Sequence, residues 1–171
     1  MTALVLAFLY NSKFPHSVFC ILNAFCILYK GKKMSKKMEN YLPHSGDMVF
    51  VDGILEFGED FVRTFTCVEA ENAFLRDANF EAFGLVEVMA QTLGVFRALK
   101  DPKQSDKLGF LLGVREFVCE RENFAVGTRF ETTAQVSLMD EASGLGVYDC
   151  EVFVEGKRAA SAKISTLNKP E

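Results

Sequence analysis

The sequence predicts an α+β domain, an antiparallel sheet of five to six strands wrapped around one long central helix. Three observations carry that prediction. Residues 82–99, "AFGLVEVMAQTLGVFRAL", hold only two charges, Glu87 and Arg97, and no proline, which favours a helix over a strand. Two short β-like runs precede this stretch, and four follow it. Long antiparallel strands joined as a meander leave one face free to bury a single helix.

Taken in order, "MVFVDGIL" (48–55) and "FVRTFTCVE" (61–69) are β-like runs separated by Glu56–Asp60, with Gly58 at the turn. After the helix, "DPKQSD" (101–106) acts as terminator, with Pro102 the breaker. "LGFLLGVREFVC" (108–119) is a continuous apolar run of the kind a central strand carries. "FETTAQVSL" (130–138) alternates, with Phe130, Thr132, Ala134, Val136 and Leu138 on one face. "GVYDCEVFV" (146–154) groups Tyr148, Cys150, Val152 and Val154, and "KRAASAKIS" (157–165) alternates more weakly. "DEASG" (140–144) supplies one connection, and Glu155-Gly156 fits a tight hairpin turn between the last two strands. Strand–strand–helix–four strands is the layout of the hotdog fold.

Residues 38–171 are read as that one domain, long enough for a substantial core. Residues 1–37 stand apart as a hydrophobic and basic extension. Their apolar run from Val18 to Tyr29 is too short to span a bilayer comfortably. The basic run Lys30–Lys37 follows the apolar run instead of preceding it, which is wrong for a secretory signal. A start placed upstream of the natural one, with Met34 or Met38 the true first residue, is the preferred reading; a membrane-associating segment is the alternative. His16 lies in this stretch and carries no functional weight.

Six lysines precede Met38; removing them from a formal net charge of -4 leaves -10 for the domain, which argues against a nucleic-acid binder. Seventeen Phe and no Trp mark a globular chain. Five cysteines form no CxxC pair, and Cys67, Cys119 and Cys150 read as reduced core residues of a cytoplasmic protein. No metal-ligand spacing is present.

On a helical wheel Leu85, Met89, Thr92, Phe96 and Leu99 share one face, and Gly84, Glu87, Gln91, Gly94 and Ala98 the other, with Ala90 nearby. A solvated face would carry lysines and several glutamates, so the second stripe reads as buried too. Glu87 is then a carboxylate among apolar and small residues, and needs a raised pKa, a hydrogen-bond partner, or both. Such a group is a candidate general acid or base. The competing reading is an ordinary surface glutamate. Outside residues 1–37 the only histidine is His44, in a loop stiffened by Pro43, where a lone histidine is by default without a catalytic role.

These stretches together resemble the 3-hydroxyacyl-[acyl-carrier-protein] dehydratases of the FabZ and FabA type. "LPHSGDMVFVD" (42–52) is similar to that family's "LPH…P…LVD" opening, and "GLVEVMAQTLG" (84–94) to its helix signature "IEAMAQ". "SDKLGFLLGVREFVCERENFAVGTRF" (105–130) is similar to its later strand-and-linker segment. The resemblance departs before the helix. Where the FabZ type carries its catalytic histidine in "HFPG.P.MPG", this chain has "AENAFLRDANFEAFG" (70–84), with neither His nor Pro. It looks closer to the ApeP-like branch of aryl-polyene lipid clusters, which keeps "LPH" and a Glu in "G.E.MAQ".

The resemblance implies dehydration of 3-hydroxyacyl thioesters on acyl carrier protein in fatty-acid or aryl-polyene-type biosynthesis. It implies no cofactor beyond the substrate's phosphopantetheine arm, and a homodimer or a heterodimer with another hotdog subunit. His44 would take the α-proton and Glu87 would protonate the leaving hydroxyl. Backbone N–H groups at Phe83, Gly84 and Leu85 would polarise the thioester carbonyl, Gln91 and Gly94 would lie on the stripe near the site, and the acyl chain would occupy an apolar tunnel beside the helix. Arg115, Arg121, Arg129, Lys157 and Arg158 are the candidate docking cations for an acidic carrier. Two alternatives stay open: an acyl thioesterase in which Glu87 activates water, and a non-catalytic hotdog partner of an active dehydratase subunit.

Overall fold

A computed structural model describes residues 38–102 and 109–168. Residues 1–37, with His16 and the six lysines, lie outside the described residues, as do 103–106 of the predicted terminator and Leu108. Among the described residues, a short 3-10 turn (Gly46–Met48) precedes nine strands and one long helix: β1 (Gly53–Phe57), β2 (Phe61–Cys67), β3 (Leu75–Arg76), β4 (Asn79–Glu81), α1 (Gly84–Lys100), β5 (Gly109–Cys119), β6 (Asn123–Ala125), β7 (Arg129–Asp140), β8 (Leu145–Val154) and β9 (Lys157–Asn168). Six strands form one antiparallel sheet in the order β1-β2-β7-β8-β9-β5, and α1 lies against it. This is the hotdog layout. No helix among the described residues is long and apolar enough to cross a membrane.

α1 forms where expected because an unbroken apolar run can be buried on both sides. The inner stripe packs on the sheet: Leu85, Val88, Met89, Thr92 and Phe96 are all buried. Thr92 Oγ1 lies 2.8 Å from Thr64 Oγ1 of β2, a buried polar stitch between helix and sheet. The outer stripe is covered by a strap, residues 38–52, whose Met38, Leu42, Val49, Phe50 and Val51 are buried. A Cβ built on Gly94 would come within 2.9 Å of Leu42 Cδ2, so the small residue lets the strap lie close. The helix has no side-chain N-cap; Arg97 and Lys100 in its last turn suit the helix dipole.

The strap corrects the first predicted strand. β1 begins at Gly53, not residue 48, because Val49–Val51 turn their side chains into the core and the Phe50 N–H bonds the Gln91 side chain, not a neighbouring strand. β2, β7, β8 and β9 fall within a few residues of their predicted bounds. Glu155 and Gly156 have φ of +51° and +74°, and Val154 pairs with Lys157, so the predicted two-residue hairpin turn is present. In β7 a bulge between Val136 and Leu138 breaks the expected alternation, and Leu138 faces solvent.

Two further expectations change. β5 has the predicted span but pairs only with β9, at the edge of the sheet and not its centre. Its apolar run exposes Phe110, Leu112 and Val118. Of the three cysteines only Cys150 is buried, where burial pushes its thiol up to about 12; Cys67 and Cys119 are half-buried. A small second sheet, β3-β4-β6, was not foreseen. It holds Phe80 and Phe124, which join Phe50, Phe74 and Phe130 in an aromatic cluster with ring centroids 5.0 to 6.2 Å apart.

Candidate functional site

The strap brings His44 to the first turn of α1. Its Nε2 lies 3.4 Å from Glu87 Oε1, with side-chain exposures of 22% and 27%. Both residues belong to the same chain, so the contact needs no second subunit. The ring's other nitrogen, Nδ1, is enclosed and has no hydrogen-bond partner. Nε2 is therefore the nitrogen positioned to exchange a proton with a second group.

Glu87 has the partner that a carboxylate on this helix requires. Gln91, one turn on, donates from Nε2 to Glu87 Oε1 at 2.9 Å. The same amide donates to the Met48 carbonyl at 2.7 Å and accepts the Phe50 N–H at 2.8 Å. Gln91 is itself 1% exposed. Helix and strap are thus joined by one fully engaged side chain beside the His44–Glu87 pair. Gly94, the other stripe residue, lies under Leu42 and takes no part in this polar group.

The helix N-terminus is less open than expected. The Leu85 N–H donates to the Ala82 carbonyl at 3.0 Å, so it is already committed. Phe83 and Gly84 make no hydrogen bond from their N–H groups among the described residues, but Gly84 is crowded by Phe80 and Phe74. The described recess beside the strap is lined by Asp47, Asp52, Glu69 and Glu71 together with Val49, Phe50 and Cys67, which makes it acidic and not an apolar acyl channel.

Asp52 went unnoticed in the sequence. It ends the strap by accepting the Cys67 N–H at 2.6 Å while its own N–H bonds the Phe65 carbonyl. Burial pushes its carboxyl up to about 6; the Cys67 N–H and Arg129 oppose that rise, and Glu69 adds to it. The signal was weak, since an aspartate between apolar runs most often marks a turn.

Strand register gathers four of the five candidate docking cations at the end of the sheet where the helix begins. Cys119 pairs with Ala160, Phe153 with Arg158 and Glu131 with Phe153, which brings Arg121, Arg129, Lys157 and Arg158 to that end; Arg115 lies further along β5. Arg158 is paired with Glu151 at 3.0 Å, and Arg129 stacks over Phe65 with Glu131 at 3.7 Å. Among the described residues no group of three or more His, Cys, Asp or Glu is arranged to hold a metal ion.

Comparison with known proteins places this fold. The family model for ApeP-like proteins, described as ApeP dehydratase, matches residues 36–171. The chain belongs to the ApeP-like family. It is also similar to the 3-hydroxyacyl-[acyl-carrier-protein] dehydratase FabZ of Shewanella denitrificans, at 25% identity over 141 residues, covering 75% of this chain and 88% of that protein. FabZ of Acinetobacter baylyi is 26% identical over 137 residues, covering 75% and 90%. Among solved structures, the dehydratase heterocomplex ApeI:P from Xenorhabdus doucetiae matches with a TM-score of 0.71 and 25% identity, over 78% of this chain and 91% of that one. The E. coli PaaI protein shares the fold, with a TM-score of 0.52 and 17% identity over 67% and 81% of the two chains.

Proposed function

We propose that this ApeP-like chain dehydrates 3-hydroxyacyl thioesters carried on the phosphopantetheine arm of an acyl carrier protein, giving trans-2-enoyl thioesters and water, with no resident cofactor. The observation that carries the reading is the His44–Glu87 contact at 3.4 Å, on a helix face shared with Gly84, Gln91, Gly94 and Ala98. Dehydration needs a base for the α-proton and an acid for the leaving hydroxyl, and two adjacent titratable groups supply both. His44 takes the α-proton at Nε2, the Cα–H electrons form the double bond, and the C3–O bond breaks as Glu87 gives its proton to the departing oxygen. His44 is left protonated and Glu87 ionised, close enough for the proton to pass back and reset the pair.

Family membership favours an aryl-polyene-type acyl chain. The exposed apolar edge of β5 suits pairing with a second hotdog chain, as a homodimer or a heterodimer, and such a partner would supply further walls for the acyl channel. Arg121, Arg129, Lys157 and Arg158 would meet the acidic carrier at the helix-N-terminal end of the sheet.

A second reading has its own observation. Residues 70–84, where FabZ-type chains resembling this one carry a catalytic histidine, here build the β3–β4 hairpin and hold none. That favours a non-catalytic subunit that scaffolds an active partner. The deciding experiment incubates the full chain with 3-hydroxyacyl carrier protein and follows intact mass. Loss of water that falls about 100- to 10,000-fold in Glu87→Gln establishes the dehydratase. Free carrier would mean thioester hydrolysis, and an unchanged mass with folded protein would leave the non-catalytic subunit.

A further inference from the structure

We propose that Glu39 is a positioning residue whose carboxylate closes the loop that carries His44, and so sets where the His44 ring stands against Glu87. The consequence for turnover rests on the dehydratase reading above, whereas the loop closure rests on geometry alone.

The strap is anchored on both sides of His44. On one side Met38 and Leu42, one helical turn apart, are buried, and the Tyr41 N–H bonds the Met38 carbonyl at 2.9 Å. On the other side Val49 and Phe50 are buried, and the Phe50 N–H is fixed by Gln91 at 2.8 Å. Between these anchors Pro43, Ser45, Gly46 and Asp47 are exposed, while His44 turns back to meet Glu87 at 3.4 Å. The ring's Nδ1 has no hydrogen-bond partner, so its placement follows the backbone of residues 43–47.

That backbone is shaped by a cap from an uncommon source. Gly46–Met48 form the short 3-10 turn, and the first N–H groups of such a turn need acceptors. Ser45 stands at the N-cap, where a hydroxyl ordinarily supplies one, yet it makes no side-chain cap bond. The acceptor comes from seven residues upstream: Glu39 Oε1 takes the Gly46 N–H at 2.9 Å. Gly46 has φ of +60°, which glycine adopts without strain, and a Cβ there would meet nothing within 4 Å. The backbone bend, and not packing, therefore calls for glycine.

A serine cap would have tied Gly46 to its own neighbour and left the mouth of the loop open. The Glu39 cap ties the loop's two sides together across His44. A carboxylate holds an N–H more strongly than a hydroxyl does, and a short loop already anchored on both sides needs little more to fix it. Proton transfer is sensitive to small displacements: a misplacement of about 1 Å can cost about 100-fold in rate.

The first arm of the test compares Glu39→Ala with Glu39→Gln in the full chain, with 3-hydroxyacyl carrier protein as substrate. Alanine removes the acceptor, and kcat should fall about 10-fold with KM changed less than about 2-fold. Glutamine keeps an oxygen in reach of the Gly46 N–H and should restore turnover to within about 3-fold of the parent. An alanine variant within about 2-fold of the parent, or a glutamine variant as slow as alanine, overturns the proposal.

The second arm needs no activity. In 15N- and 13C-labelled full-length protein the Gly46 amide, the His44 ring and the Phe50 amide are followed by NMR. In Glu39→Ala the Gly46 amide proton should move upfield and exchange faster and the His44 ring resonances should shift, while the Phe50 amide, held by Gln91, stays in place. A Gly46 amide that does not move means that the bond is not made. A His44 ring that stays put while Gly46 moves means that the bond does not position the base, and a shift at Phe50 means that Glu39 holds the whole strap and not the loop. Each of these sinks the inference even if the chain is a dehydratase. If Gly46 and His44 move as expected and the parent protein shows no dehydration, the loop closure stands and the functional reading is what has failed.

Discussion

β1 and β5 both end the six-stranded sheet, and they end it by different means. β1 is five residues long, bulges between Ile54 and Glu56, and carries Glu56 in an ion pair with Arg63 at 3.3 Å. Arg63 reaches on to Glu131 of β7 at 3.2 Å, and Asp52 anchors the residue before the strand to the end of β2. β5 is eleven residues long and also bulged, yet Phe110, Leu112 and Val118 are 52%, 54% and 59% exposed along it. Short length, charge and twist deter a further strand, whereas a long apolar edge invites one. The β1 edge is short and charged, and the β5 edge is long and apolar.

The strongest way to break that contrast is Leu112→Asp with Val118→Asp. Each residue would bury about 1.5–3 kcal/mol of apolar side chain against a partner, so the pair should weaken assembly about 100- to 10,000-fold, read by sedimentation. An unchanged assembled mass would mean that β5 is not the interface.

Next in size is Asp52→Asn, which probes the lock beside β1. The Asp52 carboxyl sits at about 6 in the folded chain against 3.8 in the open one, so folding is penalised by its ionisation. The contribution is intact below about pH 4 and is lost as pH rises through 6. Asparagine keeps an acceptor for the Cys67 N–H without the charge. It should stabilise the protein at pH 7.5 by up to about 3 kcal/mol and give no gain at pH 4, as measured by urea midpoints at the two pH values. A loss of stability at pH 7.5 would show that the charge itself holds the strap.

Arg63→Ala removes two half-exposed ion pairs from the β1 edge and should cost about 0.5–1 kcal/mol at low salt and less at 1 M NaCl. A cost that salt does not reduce would point to lost packing. The smallest effect is expected of Leu55→Lys, at an exposed β1 position. It should change stability by less than about 0.5 kcal/mol and leave assembly untouched; an effect on assembly would shift the interface to the wrong edge.

Much of this architecture was legible because it is written in local periodicity. The 82–99 helix, the Glu155-Gly156 turn and the β7–β8–β9 meander each depend on residues close in sequence. The pairing of Glu87 with His44 was reached through family resemblance, since nothing in spacing alone joins residues 43 positions apart. Gln91 was placed on the right stripe, but its three partners were not, because two of them are backbone groups of the strap.

What the sequence determined by itself was which segments bury an apolar face and that one carboxylate would need a partner there, because hydrophobic burial and desolvation act on each residue's own chemistry. What only the tertiary structure decided was who covers whom. The strap replaced a strand at Val49–Val51, β5 moved from the centre to the edge, and β3–β4 arose where no periodic signal exists. Those choices depend on hydrogen bonds and contacts between residues far apart in the chain, and an apolar run looks the same whether its partner is its own helix or another molecule.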